Sequence, residues 1–393
     1  MATVQVVIIG AGVAGLTIAH SLLQGVPKIQ VVLINPSQSF YWNVASPRIV
    51  AKPDAFRHEQ YLLPIKDAFA VYPSSAFELL VGIATAIDVE KKTVAVALND
   101  NFGTHDVPFD HLVIASGSTN SSSTGAMTGR PIPFKPTNRD DIREVIENAQ
   151  KVIAGAKEIV IGGAGPVGVE LAGELAESSA NKAAITLISS TDHVLPMLKP
   201  SASAMAEKRL QQLGVKILTS VKVGDVQPIT EDKSTCNIAL SDGTTLSADL
   251  FIPTTGAIPN NSFVPKTFLD NDGWVKVDEE LRVRSIDGSV LPIYAIGDIN
   301  TNNMRLSFKA TAQAKVAAAN LLADIHGEHK RKQYDQGKNL LMLVPVGNTG
   351  GTGQIFGFVL FSILLVKPDQ QGKLTEFEAV CILRVVNLKT YQG

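Results

Sequence analysis

Val4 to Gly15 reads VQVVIIGAGVAG, a β-branched apolar run that stops on three glycines spaced as Gly10, Gly12 and Gly15. A helical stretch follows, and a second apolar run, Ile29 to Ile34 (IQVVLI), comes after it. Two near-continuous apolar runs flanking a helix are the pattern of parallel strands buried on both faces. In that setting each glycine has a task. Gly10 permits the tight turn, Gly12 lets the backbone approach a pyrophosphate, and Gly15 lets helix and strand pack closely, with Ala11, Val13 and Ala14 supplying backbone N–H groups at the helix start. The reading is a dinucleotide-binding turn.

The pattern recurs. Glu158 to Ile161 (EIVI) leads into Gly163, Gly165 and Gly168, then a helix through Leu175 and another apolar run, Ala184 to Ile188. Pro166 suits the helix start, where its missing N–H is not needed. The repeat spacing is that of a duplicated domain type, not of a short solenoid, and two such turns imply two dinucleotide sites. Neither second strand ends on an acid. At the first site the residue is Asn35, which either bonds a ribose hydroxyl or braces the Asn35-Pro36-Ser37 turn. At the second it is Ser189, which leaves both NADPH and NADH permitted, with His193 and Lys199 as candidates to meet a 2′-phosphate.

Around these units the chain carries two polar crossings, Ser116 to Gly129 and Thr254 to Pro265. Leu291 to Asp298 reads as a strand ending in Gly297-Asp298. It precedes an Ala-rich stretch, Lys309 to Ile325, of helical composition. Gly297-Asp298 is either a plain turn or a place where a carboxylate accepts from a ribityl hydroxyl while the next helix start faces a pyrophosphate. Beyond the basic cluster His329 to Lys332 the composition changes, which marks a small third module.

Composition excludes several classes. The 393 residues hold 35 Lys+Arg against 37 Asp+Glu, so the near-neutral chain is not built to bind nucleic acid. Hydrophobic residues at 45% and charged ones at 18% are enough to bury at least two cores. Cys236 and Cys381 are the sole cysteines, which rules out a disulfide framework, a multi-cysteine metal site and a CxxC redox pair. No metal site is expected, and redox work falls to a bound organic cofactor. The apolar start Val4 to Leu23 has no basic residue before it and is cut by glycines, so it is not expected to be a signal peptide. Ala2 stands where myristoylation needs glycine. The longest apolar run, Ile355 to Val366, is too short to span a bilayer.

The ordered set GAGVAG, FYWNVASPR (Phe40 to Arg48), LVIASGS (Leu112 to Ser118), GGAGPVGVELAGEL (Gly162 to Leu175), TTGAIPN (Thr254 to Asn260) and YAIGD (Tyr294 to Asp298) resembles the pyridine nucleotide-disulfide oxidoreductase superfamily. Within it the chain is similar to the apoptosis-inducing-factor-like, or AMID-like, branch to which ferroptosis suppressor-type proteins belong. The resemblance runs to about Lys367.

It implies an α/β fold with two Rossmann-like domains, the NAD(P)H domain inserted in the FAD domain, and a small C-terminal α+β module. The expected division is 1–125 and 257–330 for FAD, 126–256 for NAD(P)H, and 331–393 for a module on the acceptor side. By the same resemblance Gly10 to Gly15, Arg48 and Asp298 contact FAD, Gly163 to Gly168 hold NAD(P)H, and Glu170 orients the nicotinamide as the catalytic residue. For Arg48 a surface salt bridge is the competing assignment, and for Glu170 a favourable charge in the first helical turn. Ala84, Ser116, Gly117, Ser189, Gly256 and Gly297 complete the cofactor-binding set. The implied activity passes a hydride from NAD(P)H to FAD and electrons on to a quinone-type acceptor. A slow redox-signalling role, or a biosynthetic flavin oxidoreductase acting on a small metabolite, stays open. Localisation is expected to be cytoplasmic; Ile355 to Val366 is either a peripheral contact, by resemblance at a mitochondrial outer surface or lipid droplet, or a core strand or helix of the third module. Two departures stand out: the disulfide reductases' CxxC is missing, and Gly347-Asn348-Thr349-Gly350 lacks the family's basic residue after its glycine.

Overall fold

The computed structural model describes residues 3–360 except 27, 100–102, 179–181, 230–234, 303, 339 and 356. The first apolar runs become strands Val4–Ile9 and Ile29–Asn35, paired in parallel with helix Val13–Gly25 between them. They lie inside an eight-stranded sheet. Parallel strands His111–Ile114 and Val290–Ala295 flank Val4–Ile9 on one side, and Phe77–Asp88 follows Ile29–Asn35 on the other. Ile9 is in register with both Ile34 and Ile114, so the glycine turn leaves the sheet at the carboxyl ends of three parallel strands. That is where open α/β sheets bind ligands. The Ala-rich stretch forms helix Ser307–His326, which stops at Gly327 in the left-handed conformation (φ 71°) and packs on helix Val13–Gly25.

The second unit is a four-stranded parallel sheet with Glu158–Gly162 between Ala184–Ile188 and Leu250–Pro253, and Lys216–Leu218 at the edge. Its turn leads into helix Pro166–Ala176. A three-stranded antiparallel sheet, Val223–Pro228, Cys236–Leu240 and Thr245–Ala248, covers one side. The crossings between the units pair with each other, Ser118–Thr119 against Ile258–Pro259. The first is more buried than its polar composition predicts. Ser118, Asn120, Ser122 and Ser123 are all under 9% exposed, because short polar side chains satisfy local backbone, as where Asn120 Oδ1 accepts from Ser123 N at 2.8 Å.

Strands Leu341–Pro345, Gly351–Ile355 and Phe358–Leu360 form an antiparallel hairpin sheet. Met342, Val344 and Val346 are buried in the core of the second unit. The hairpin is therefore part of that unit's packing. Most of the apolar run Ile355 to Val366, and everything after it, lies outside the described residues.

Candidate functional site

Gly10 has φ 105°, and a Cβ there would meet the Ala115 carbonyl oxygen at 2.4 Å. A Cβ on Gly15 would stand 1.9 Å from the Gly10 oxygen, so the close helix–turn contact excludes any side chain. Gly12, the cap of helix Val13–Gly25, is different: a Cβ there meets nothing within 4 Å, and no side chain caps the helix. The turn is thus rigid behind and open in front, with uncapped N–H groups facing the opening. An anionic pyrophosphate fits such a cradle.

The opening is a cleft of about 580 Å³. Gly10 to Ala14 form its floor, whereas Gly15 lies behind them. Asn35 and Ala84 line it too. Asn35 Oδ1 accepts from Ala11 N at 3.0 Å and its amide donates to Ser37 O at 2.7 Å, so the side chain braces the turn. Ser116 and Gly117 line the cleft beside the second crossing, where Ser116 and Asn260 exchange two hydrogen bonds of 2.8 Å. Tyr41 is also in the wall. Burial pushes its phenol far above the usual range, and its hydroxyl donates to Pro133 O at 3.0 Å.

Gly297 and Asp298 also line the cleft. Asp298 Oδ2 takes Lys135 Nζ at 3.0 Å and Ser118 Oγ at 3.0 Å. Sequence reasoning missed Lys135. It sits in a proline-flanked connection, Pro133-Phe134-Lys135-Pro136, that carries no periodic signal. Arg305 was missed as well. Its backbone is left-handed (φ 56°), and its guanidinium lies 3.8 Å above the Trp274 ring while lining the cleft.

The second glycine turn repeats the first in detail. Gly163 has φ 124°, a Cβ on Gly168 would stand 1.9 Å from the Gly163 oxygen, and Gly165 is open. Thr254 Oγ1 donates to Gly163 O at 2.8 Å. These glycines are outside the cleft lining, but the helix they start presents Pro166, Val167 and Glu170 to it. One cleft therefore joins the first turn to the second unit's helix. Ser189 is 2% exposed, and its hydroxyl donates to His193 O at 2.8 Å, which turns it away from solvent. His193 pairs with Asp192 at 2.6 Å, and Lys199 Nζ donates to Gly357 O at 2.5 Å. Gly256 (φ 74°) lies in the second crossing with open space beside it. Arg48 is outside the lining too; it forms an ion pair with buried Glu174 at 2.7 Å.

Two glycine turns of one geometry, the first lining a cleft and the second starting a helix that reaches it, define a two-nucleotide oxidoreductase architecture. The chain belongs to the pyridine nucleotide-disulphide oxidoreductase family, whose pattern matches residues 4–314. It is 34% identical over 367 residues to oxidoreductase ptaL of Pestalotiopsis fici, covering 92% of this chain and 94% of that protein. It is 26% identical over 372 residues to ferroptosis suppressor protein 1 of Homo sapiens, covering 92% and 91%. The solved structure of NDH2 from Plasmodium falciparum in complex with NADH superposes with a TM-score of 0.73 at 17% identity, over 98% of this chain and 95% of that one. The family and these relatives make the chain an oxidoreductase of the FAD and NAD(P)H type. Among the described residues no helix is long and apolar enough to cross a membrane.

Proposed function

We propose that this protein takes a hydride from NAD(P)H and delivers the two electrons to a quinone-type small acceptor, in the balance NAD(P)H + H⁺ + quinone → NAD(P)⁺ + quinol. One observation carries the reading: a single cleft is lined both by Gly10 to Ala14 of one nucleotide-binding unit and by Pro166, Val167 and Glu170 of the other. A nicotinamide and a flavin are thereby brought together. When bound, FAD supplies the two-electron acceptor that links donor and quinone.

The chain's own residues bind and orient. The uncapped N–H groups after Gly12 and Gly165 receive the pyrophosphates. Asp298 holds ribityl hydroxyls, with Lys135 as its counter-charge. Glu170 orients the nicotinamide carboxamide, and Tyr41, kept protonated by burial, closes the wall. Residues 1–125 and 257–330 form the FAD domain and 126–256 the NAD(P)H domain, against which the hairpin Leu341–Pro345 to Phe358–Leu360 packs. The protein works in the cytoplasm, with peripheral contact at a mitochondrial outer surface or lipid droplet through the run that starts at Ile355.

The test is the anaerobic visible spectrum of the purified protein. Flavin bands that bleach with NADPH or NADH and return with a soluble quinone support the reading; a flavin that neither nucleotide bleaches refutes it. A second reading, with a small metabolite as acceptor, is favoured because strands Leu341–Pro345 to Phe358–Leu360 line none of the cleft. Bleaching without recovery on quinone selects it. Membrane contact is read by liposome sedimentation of the full chain against a chain ending at Leu360, since an earlier stop strips Met342, Val344 and Val346 from the core. Equal sedimentation rejects the anchor.

A further inference from the structure

Helix Ser46–Ala51 belongs by chain order to the first unit, yet it is embedded in the second. Val50 and Ala51 are buried in the second unit's core, together with Leu171 and Leu175 of helix Pro166–Ala176. The carbonyls at its end are taken up by the same unit: Ile49 O accepts from Gln150 Nε2 at 2.7 Å and Ala51 O from Ser178 Oγ at 3.0 Å. At the centre of the contact is Glu174, whose side chain is 2% exposed. Its Oε1 accepts from Arg48 Nε at 2.9 Å and lies 2.7 Å from Nη2, and Lys52 Nζ stands 2.7 Å from its Oε2 as an ion pair. Lys52 reaches on to Asn348 Oδ1 at 3.1 Å, and Glu177 takes Arg209 Nη2 at 2.7 Å, so the hairpin loop joins the same network.

Both helices in this contact begin in the cleft. Ser46 and Pro47 line it from one, and Pro166, Val167 and Glu170 from the other. Glu170 and Glu174 are one turn apart on the same helix face, about 6 Å along a rigid rod. We propose that Glu174 is a positioning residue: by clamping Arg48 and Lys52 it fixes the approach of the two nucleotide-binding units, and through Glu170 the approach of nicotinamide to flavin. The inference rests on the reading of the cleft as the place where those two groups meet.

An apolar side chain here would hold two helices together as well as a buried ion pair does, or better. What the charged contact adds is orientation. An arginine presents its N–H groups in a fixed fork, and two cations, one in the short helix and one just after its end, constrain its rotation against the carboxylate. Hydride transfer is sensitive to such placement. The reacting atoms must lie about 3–3.5 Å apart, and a misplacement of about 1 Å costs roughly a hundred-fold in rate.

The experiment compares Glu174→Gln, Glu174→Leu and wild type as flavin-loaded full chains. Three quantities are read: flavin content, hydrogen exchange of the 46–52 amides, and the anaerobic bleaching rate over a range of NADPH. The expected result is wild-type flavin content, faster exchange across 46–52, and a limiting bleaching rate roughly a hundred-fold lower. The NADPH concentration giving half that rate should move less than about threefold. A Glu174→Gln protein with the wild-type limiting rate overturns the proposal, and so does one whose whole loss lies in half-saturation. If neither Glu174 variant folds, Lys52→Met, which leaves Arg48 on the carboxylate, must show the same split at smaller size; a wild-type rate in it is equally fatal. Wild-type protein that NADPH and NADH both fail to bleach is a different failure, which removes the reading of the cleft and the clamp with it.

Discussion

Replacing Gly12, Gly15 or Gly165 by alanine separates folding from cofactor binding. The space around each position differs in a way the structure measures. At Gly12 the backbone has φ −75° and ψ −175°, which any residue adopts, and an added Cβ touches nothing within 4 Å. Alanine there reduces the freedom of the unfolded chain, worth about 0.4–1 kcal/mol in favour of folding. It is also a poorer helix cap than glycine by a comparable amount. The two offset, and the melting temperature should stay within a few degrees of wild type. The methyl group, however, occupies the place from which a pyrophosphate meets the helix N–H groups. Each such bond to a charged oxygen contributes about 1.5–3 kcal/mol. Losing one weakens FAD binding roughly 10- to 150-fold. At Gly15 the new Cβ would lie 1.9 Å from the Gly10 oxygen, backbone against backbone, so the fold itself gives way by about 1–3 kcal/mol or more. The assay is flavin retained per chain after gel filtration, beside thermal melting. Gly12→Ala should melt normally and elute poor in flavin, Gly15→Ala should lose both, and Gly165→Ala should keep its flavin but resist bleaching by NADPH. A Gly12→Ala protein with full flavin, or a Gly165→Ala protein bleached at the wild-type rate, would refute the two-cradle argument.

Three further outcomes are expected. Asp298→Ala removes the carboxylate that pairs with Lys135 and should yield folded protein poor in flavin by its 450 nm region absorbance, while full flavin with unchanged turnover would count against the assignment. Burial holds His20 below the ordinary histidine range, where its ring stacks on Phe69 at 4.2 Å. The unfolded chain therefore binds a proton that the folded chain refuses. Stability is full above the unfolded pKa of about 6.5 and falls as pH drops below it, and His20→Phe should flatten part of that slope in melting curves from pH 7.5 to 5. Lys199→Met breaks the bond to Gly357 O and should lower the melting temperature without changing the NADPH to NADH preference; a preference moved severalfold towards NADH would place Lys199 in the nucleotide site after all.

Both glycine turns, their flanking strands and the helix after Asp298 were legible in the sequence because each is local. A β-branched run, a turn that only glycine can make and a helix start follow one another within about a dozen residues. What the sequence could not show is which side chains the tertiary fold then claims. Asn35 and Ser189 occupy the positions where a ribose partner is expected, but the first braces its own turn and the second turns inward to His193 O. Lys199, a candidate to meet a 2′-phosphate, donates to Gly357 O of the hairpin. Arg48 and Glu174 are far apart in the chain, and neither carries a mark of the other; their pairing exists only because helix Ser46–Ala51 crosses into the second unit. Long-range ion pairs of this kind have no sequence period.

The two turns are twins in geometry, and their surroundings make them unequal. The first has walls on several sides: Ala115 stands against Gly10, and the paired crossings and the Asp298–Lys135 pair line the 580 Å³ cleft. The second shows only the start of its helix to that cleft, while Gly163, Gly165 and Gly168 stand outside it. On the proposed reading, a ligand in the first site would be held along its length, so leaving would require many contacts to break together. A ligand in the second would be held mainly at its pyrophosphate, with its nicotinamide end towards the cleft. The enclosed site should therefore keep its cofactor through purification, and the open one should exchange within each turnover. Repeated gel filtration in nucleotide-free buffer measures this directly. Flavin should remain with the protein while NADPH separates from it, and a flavin that departs as readily as the nicotinamide would mean that enclosure does not set the residence of either ligand.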